Sequence, residues 1–544
     1  MKRGSPDSLE GMAPTELIGL VRDLISEVER LRKDNEELQA TVAELRREKH
    51  ELKDEIRRLK RLPPRPPITP SGMEKATDRP QLGEMGETPA PPRRRGPSVA
   101  KLRIDRTVTL PATVPDGSRR KGYEEIVVQD VVFEPETTLY RRERWRTPEG
   151  RTVTADLPPG VIGGCGPHLH RLVLMLHFQG QMTCERIVAL LNGVGAAISK
   201  RQVVRLLTAK LETFQAEDEA VLEAGLRHSP YISVDDTGAR HAGKPGYTTQ
   251  IGSARFTAFR TGPGKSRLAF LRNLLGGTGR YAVNAAAVAY MRAANLANDV
   301  IEALQGADKL DFAGQVEWMA HLARLGVTEL RVNPDPVRAA SEAALWGAIH
   351  AEGRLAGAVI LSDDAGQFRL GEHALCWVHA ERLAHKLIPA NDRQRNAVEV
   401  ARRMIWWFYA QLKAFKRAPS PERAAELSAR FDRIFDRKTG YATLDRLLKR
   451  LHQRKDELLR VLERPEIPLN TNGSENDIRA CVTKRKVSGG TISERGQAAR
   501  DVMLGLAKTC AKLKIPYFDY LGDRLAISGP EVPWLPSLIA AAPT

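Results

Sequence analysis

The first sixty residues carry a leucine at every seventh position, from Leu17 to Leu59. If these leucines are d positions, valine or isoleucine fills most a positions, a pattern typical of a parallel two-stranded coiled coil. A polar a residue such as Asn35 can pair with its copy in the partner and fix the register. We therefore predict that residues 1–62 form a leucine zipper that joins two copies of the chain. The predicted dimerisation residues are Leu24, Leu31, Asn35, Leu38, Leu45 and Leu52.

Prolines end this periodic pattern. Residues 63–100 are rich in proline, glycine and charge, as in PPRPPITPSG and ETPAPPRRRGPS. Such a composition cannot bury enough apolar surface to fold, so we interpret this segment as a disordered basic linker.

Residues 101–225 change from an alternating pattern to a helical one. EEIVVQDVVF and GRTVTADLPP alternate apolar and polar positions, which predicts short strands. From residue 168 the spacing is helical, and CERIVALLNGVGAAISKRQVVRLLTAKL resembles two helices joined by a glycine-containing turn, with Ser199 capping the second. We interpret the region as DNA-binding, with Lys200, Arg201 and Arg205 as candidate contacts. An ordinary helical hairpin would give the same pattern.

Two strand-like apolar runs each end in a pair of aspartates. YISVDD ends in Asp235 and Asp236, and GAVILSDD ends in Asp363 and Asp364; between them YTTQIGS and RFTAFRTG also read as strands. Buried parallel strands appear as continuous apolar runs, and functional residues collect at their carboxyl ends. We therefore predict that the two pairs meet at one edge of a sheet, although such acids are often only turn formers.

A third acid, Glu475, lies in the first turn of a helix predicted to begin around Asn472 to Ser474. Helix capping alone could explain it, because acids favour the amino end of a helix. Three carboxylates together, however, repel one another and attract a hard divalent cation. Two such ions about 4 Å apart can promote in-line displacement at phosphorus. Basic residues follow this acid and are candidate contacts to DNA phosphates: Arg479, Lys484, Arg485 and Lys486.

Composition narrows the class of partner. The chain of 544 residues has a formal net charge of +17, which favours a polyanion such as nucleic acid. Its five cysteines lack paired spacing, which is typical of reduced thiols. Neither a signal peptide nor an apolar run of about 18 residues is visible, so we expect no membrane association and a cytoplasmic location.

Four stretches resemble, in order, the catalytic blocks of the insertion sequence 66 family of bacterial transposases: VDDTGARHAGKPG, LSDDAGQF, ALCWVHAERLAHKL and NGSENDIRACVTKRK. The resemblance covers roughly residues 150–525. It implies an α/β ribonuclease H-like core with large helical insertions, and Asp235, Asp363 and Glu475 as the catalytic, metal-binding triad. The family motif reads Asp-Glu-Thr-Gly, so Asp236 takes the Glu place. The same alignment prefers Asp363 to Asp364.

This resemblance implies a DDE transposase that cleaves DNA strands at insertion-sequence ends and transfers them to target DNA. Two Mg²⁺ or Mn²⁺ ions would be the cofactors. The implied partners are double-stranded DNA at the bacterial nucleoid, a second copy of the chain and accessory proteins of the element. The alternatives are a zipper-dimerised DNA-binding regulator and an inactive transposase remnant.

Cys376 and His379 form a recurring motif of that family, with a structural or substrate-positioning role open to His379. The spacing from His373 to His385 matches no well-attested zinc pattern. Members of that family often carry a cysteine-rich, zinc-binding segment after the coiled coil, which is absent or replaced here because no cysteine precedes Cys165. The remaining predicted divisions are a catalytic core at 226–389 and 470–525, a helical insertion at 271–350, a second at 390–469 and a tail at 526–544.

Overall fold

The computed structural model describes residues 104–541, apart from 114, 117 and 278, together with Ser26, Glu29 and Arg30. The six predicted zipper contacts and the predicted linker lie outside the described residues. Dimerisation through the zipper therefore stays a prediction.

The strands between residues 104 and 541 are β1 (Arg144–Arg146), β2 (Thr152–Thr154), β3 (Tyr231–His241), β4 (Lys244–Gly252), β5 (Thr257–Gly262), β6 (Tyr281–Ala282), β7 (Asp311–Phe312), β8 (Val359–Ser362) and β9 (His373–Leu375). The helices before β8 are α1 (Pro167–Leu174), α2 (Cys184–Gly193), α3 (Lys200–Thr208), α4 (Leu211–His228), α5 (Arg267–Leu274), α6 (Ala285–Ala293), α7 (Asn298–Gln305), α8 (Gln315–Arg324) and α9 (Pro336–Ala351). The helices after β9 are α10 (Trp377–His385), α11 (Asp392–Arg417), α12 (Pro421–Phe435), α13 (Ala442–His452), α14 (Lys455–Leu458), α15 (Arg460–Glu463), α16 (Asn472–Ser488), α17 (Glu494–Lys512), α18 (Tyr517–Arg524) and α19 (Leu535–Ala540). A π-helical turn, Met175–Gln179, continues α1, and a 3-10 turn, Gly366–Phe368, follows β8.

A five-stranded mixed sheet lies at the centre, in the order β5-β4-β3-β8-β9. The first three strands are antiparallel, and β3, β8 and β9 are parallel. Ala242 and Gly243 both have positive φ, so β3 and β4 are joined by a tight two-residue turn whose twist matches that of the strands. The four strands predicted from the apolar runs are present, and the sheet agrees with the predicted α/β core. The predicted end of β3 at Asp235 and Asp236 is wrong, because pairing with β4 continues the strand to His241.

Two apolar cores flank this sheet, and β8 contributes to both. Its side chains alternate between faces, as in any strand. Val359 and Leu361 pack with the helices α10 to α15, whereas Ile360 packs in a second core with α4, α9 and α17. The helical prediction for 390–469 is confirmed by α11 to α15. The 271–350 region is also helical, with the short β6–β7 pair added.

The strand predicted for EEIVVQDVVF is wrong. Residues 124–133 have no regular structure, and Ile126 and Val128 are about four-fifths exposed, at 79% and 81%. A strand needs a neighbouring backbone to satisfy its hydrogen bonds, and this segment has none among the described residues. The second predicted strand of that region is present as β2, paired with β1.

The two helices predicted around Ser199 are confirmed as α2 and α3. The Ser199 hydroxyl accepts a hydrogen bond from the Gln202 backbone N–H, and the Gln202 side chain accepts one from the Ser199 N–H at 2.9 Å. This reciprocal capping fixes the start of α3. In the predicted tail, α19 packs against α4 through the buried Leu535 and Ile539.

Candidate active site

Asp235 and Asp363 lie at neighbouring strand positions. The parallel pairing of β3 with β8 ends at Ser233 and Leu361, two residues before each aspartate. Because both strands run in the same direction, the chain carries both acids to the same edge of the sheet. Asp235 remains paired with Gln250 of β4 on the other side of β3. The predicted meeting of the two acidic pairs is therefore present in the structure.

The carboxyl group of Asp235 is mostly buried. Burial raises its pKa to about 6, and the charge of Asp363 acts in the same direction. The backbone N–H of Asp236, at 2.8 Å from Asp235 Oδ1, and the nearby His379 lower the pKa in opposition. The raised value means that the charged form of Asp235 lacks sufficient compensating positive charge, which is the condition under which a carboxylate gains from a cation.

Asp363 is oriented by its own turn. Its Oδ1 accepts a hydrogen bond from the Ala365 backbone N–H at 3.0 Å, a local bond common for aspartate at the end of a strand. In the part of the chain that the structure describes, no lysine or arginine forms an ion pair with Asp235 or Asp363. Each retains carboxylate oxygens without a cationic partner.

The second aspartate of each pair is held by other side chains. Asp236 accepts a hydrogen bond from Gln367 Nε2 at 2.7 Å and lies 3.7 Å from Lys265 Nζ. Asp364 pairs with Arg454 at 2.6 Å and also with Arg450. These contacts favour Asp235 and Asp363, rather than their neighbours, as the functional acids.

Glu475 lies in the first turn of α16, as predicted. Its Oε1 accepts a hydrogen bond from Arg382 Nη1 at 2.8 Å and lies 3.8 Å from His379 Nε2. Among the described residues, no group of three or more histidine, cysteine, aspartate or glutamate side chains has an arrangement that could hold a metal ion. The first two predicted ligands are brought together, whereas the third is occupied by an arginine.

His379 connects these acids. It lies in the first turn of α10, three residues after the buried Cys376. Burial lowers the pKa of His379, but Cys376 and Asp363 outweigh this and raise it above the ordinary value. Burial raises the pKa of the Cys376 thiol, and His379 more than offsets this, so that the pKa falls below its usual value. The Thr471 backbone N–H also points at Cys376 Sγ, at 3.3 Å, which ties α10 to the start of α16.

Arg382 was not among the residues predicted from the sequence. It lies three residues after His379 on α10, and residues at that spacing share one face of a helix. This spacing was the available signal, because a motif histidine near the acids implies that its helical neighbour reaches them too. His373, by contrast, bonds to Glu457 and Ser362 and does not join the cluster.

Comparisons with known proteins identify a family model and a relative that this chain resembles. Residues 349–499 match a model described as transposase IS66 family. The chain is also 51% identical over 321 residues to a protein of Sinorhizobium fredii described as uncharacterized protein y4jO, across 59% of this chain and 99% of that protein. The chain belongs to the IS66 transposase family. The matched range of this IS66 family member includes Asp363, His379, Arg382 and Glu475, whereas Asp235 precedes it.

The basic residues of α16 in this IS66 family member separate into an outer and an inner set. Arg479 and Lys486 are exposed, and Arg485 lies against β3 with its guanidinium 3.5 Å from the Thr237 hydroxyl. Lys484, predicted to contact DNA, is instead 3% exposed. Its ammonium donates to the carbonyls of His177 at 2.8 Å and Met182 at 3.0 Å, and burial lowers its pKa to about 8. A direct phosphate contact by Lys484 is therefore incompatible with this placement.

The three basic candidates on α3 are all exposed, as a DNA contact requires. Lys200 pairs with Glu185 of α2 at 2.5 Å, an exposed pair that a phosphate could replace at small cost. No helix among the described residues of this IS66 family member has the length and apolar character needed to span a membrane.

Proposed function

We propose that this protein is a DDE-type DNA transposase that hydrolyses a phosphodiester bond at insertion-sequence ends and joins the freed 3′ hydroxyl to target DNA. The observation that carries the proposal is the position of Asp235 and Asp363 just beyond the point where the parallel pairing of β3 with β8 ends, without a lysine or arginine paired to either in the described residues. A ribonuclease H-like core is part of the proposal. Its support is the mixed five-stranded sheet with helices packed on both faces.

The donor set fits a hard divalent cation. The two carboxylates offer only oxygen, which Mg²⁺ prefers, and Asp235 has a pKa raised by burial and by Asp363. Asp235 and Asp363 would hold the ions, and Glu475 would join them on exchanging its hydrogen bond to Arg382 for a metal bond. When bound, two such ions supply activation of the attacking oxygen and charge neutralisation at the leaving one.

The side chains around the acids have separate tasks in this proposal. The turn at Ala365 orients Asp363, and the ion pairs of Asp364 fix the helical insertion beside it. Arg382, released from Glu475, is positioned to bind a DNA phosphate. Arg479 and Lys486 on the exposed face of α16 and the basic residues of α3 hold the DNA backbone, which a chain with a net charge of +17 favours.

The test uses purified full-length protein and labelled DNA carrying the repeats that flank its gene. We expect strand cleavage that requires Mg²⁺ or Mn²⁺ and disappears in Asp235→Asn, with DNA binding retained. Asp236→Asn is the matched control, because it removes the adjacent charge from the other face of β3.

Two results would contradict the proposal. Cleavage by Asp235→Asn at the wild-type rate would remove Asp235 from the site. Specific binding without any metal-dependent cleavage by the wild-type protein would instead favour a DNA-binding regulator.

A further inference from the structure

A cavity of about 280 Å³ opens beside Asp363. Its walls come from the end of β8, from α10 and the residues just after it, and from α13 of the helical insertion. Asp235 is not part of its lining, so the cavity adjoins the two functional acids without being the place where they meet.

Positive charge dominates the lining of this cavity. Arg382, Lys386, Arg450 and Arg454 contribute four cations beside the carboxylates of Asp363 and Asp364. Outside the lining, Glu475 pairs with Arg382 and Glu457 with Arg454, so among the described residues Lys386 is the cation of the lining without an ion pair. The cavity is therefore suited to a ligand that carries negative charge.

Two of the four cations have N–H donors that can bind a ligand. Lys386 is exposed and forms no ion pair among the described residues. Arg450 pairs with Asp364 through one nitrogen, its side chain is 55% exposed, and a guanidinium has five N–H donors. Arg454, only 16% exposed, is committed to Asp364 and Glu457 and serves to fix the wall.

Apart from His379 and Cys376, the remaining lining is apolar. Leu375, Leu383 and Leu451 contribute hydrocarbon surface between the charged groups. A pocket that combines cationic donors with an apolar wall matches a ligand that has a phosphate and a flat ring. The volume is slightly below the range of about 300–1,000 Å³ that encloses a drug-sized ligand, so it suits one nucleotide and excludes a duplex.

We propose that this cavity binds a single unpaired nucleotide of the DNA strand, next to the phosphodiester presented to Asp235 and Asp363. Its phosphate contacts Lys386 and Arg450, and its base packs on Leu383 and Leu451. Taking one base out of the stack costs free energy, which these contacts offset. The inference rests on the proposed function, because it takes DNA as the substrate.

The experiment places 2-aminopurine, whose fluorescence rises when it leaves the base stack, at successive positions around the cleavage site. The protein is full-length Asp235→Asn, which we expect to bind without cutting. A severalfold rise is expected at one position. Lys386→Ala added to this protein should abolish most of the rise and lower the slope of log affinity against log salt by about one.

Lys438→Ala is the matched control, because it removes an exposed lysine of the same helical region, away from this cavity. It should keep the full fluorescence rise. Arg450→Gln, which keeps a side-chain donor but removes the charge, is a second variant and should reduce the rise.

Two results would overturn the inference. One is stably bound DNA with no fluorescence rise at any position near the cleavage site. The other is a rise that neither Lys386→Ala nor Arg450→Gln reduces.

The cleavage assay separates this inference from the proposed function. A wild-type protein that cuts DNA without extruding a base would refute the nucleotide cavity and leave the transposase intact. A base extruded into the cavity by a wild-type protein that never cuts DNA would support the cavity and refute the transposase.

Discussion

The two aspartate pairs have the same local sequence, an apolar run followed by Asp-Asp, but their four carboxylates have different neighbours. In each pair the first aspartate has no cationic partner among the described residues, and the second is anchored. The anchors also differ, because Asp364 is held by two arginines and Asp236 by an amide and a more distant lysine. The comparison teaches that the partners across the fold, rather than the dipeptide, decide which acid is available for chemistry.

The largest expected effect is on the rate of DNA cleavage, which should depend on the first aspartate of each pair and much less on the second. Asp235→Asn and Asp363→Asn should each slow DNA cleavage about 10³-fold, equivalent to about 4 kcal/mol, because each removes a charge that a metal site needs. Asp236→Asn and Asp364→Asn should stay within about tenfold of the wild type, or about 1.4 kcal/mol. Single-turnover cleavage rates measure this, and a reversed order within either pair would break the comparison.

The next largest effect is on the free energy of unfolding, to which the ion pairs of Asp364 contribute. Asp364→Asn removes one of the two carboxylates that pair with the mostly buried Arg454, while Glu457 stays in place, so the free energy of unfolding should fall by about 1–2 kcal/mol. Glu463→Gln is the matched control, since its pair with Arg460 has a carboxylate that is 69% exposed and should contribute about 0–1 kcal/mol. Thermal unfolding compares the two variants. Equal midpoints would mean that the Asp364 ion pairs add little.

Replacing Asp235 should raise the free energy of unfolding, whereas replacing Asp364 lowers it. Its folded-state pKa of about 6 lies above the unfolded value of about 3.9, so its ionisation opposes folding. This cost is complete above pH 6, shrinks as the pH falls through 6, and is absent below about 3.9. Asp235→Asn should therefore stabilise the metal-free protein by about 1–2 kcal/mol at pH 8 and much less near pH 4.5. Unfolding midpoints at both pH values test this, and a destabilised variant at pH 8 would contradict it.

The smallest effect is expected at Asp236. Asparagine can still accept the hydrogen bond from Gln367, and Lys265 at 3.7 Å is a weak partner with a side chain that is 51% exposed. Asp236→Asn should change the free energy of unfolding by less than about 1 kcal/mol. Gln367→Ala is an independent check, because it removes the anchor instead of the acid. A large loss of stability in Asp236→Asn alone would show that the charge of Asp236 makes a stronger interaction than its contacts with Gln367 and Lys265.

Local patterns predicted the parts of the site that depend on local physics. The apolar runs before Asp235 and Asp363 specify buried strands, and the first-turn position of Glu475 follows from the start of α16. The DNA contact predicted for Lys484 was wrong, and Arg382 was not predicted at all, because the partners of both residues lie far away along the chain. The Lys484 acceptors are about 300 residues earlier. A signal existed, since Asp477, Cys481 and Lys484 are spaced by four and three and so share the inward face of α16.

Lys484 fixes α16 to the amino-terminal helices through buried hydrogen bonds. Glu475 and Lys484 lie nine residues apart on one uninterrupted helix, a separation of roughly 13–14 Å along its axis. The Lys484 ammonium donates hydrogen bonds to carbonyls in the segment between α1 and α2. Helix α3, which has three exposed basic residues, packs on both α1 and α2. We therefore expect a tilt of these amino-terminal helices to move α16 as a rigid unit, which would link the binding of a polyanion on α3 to the position of Glu475.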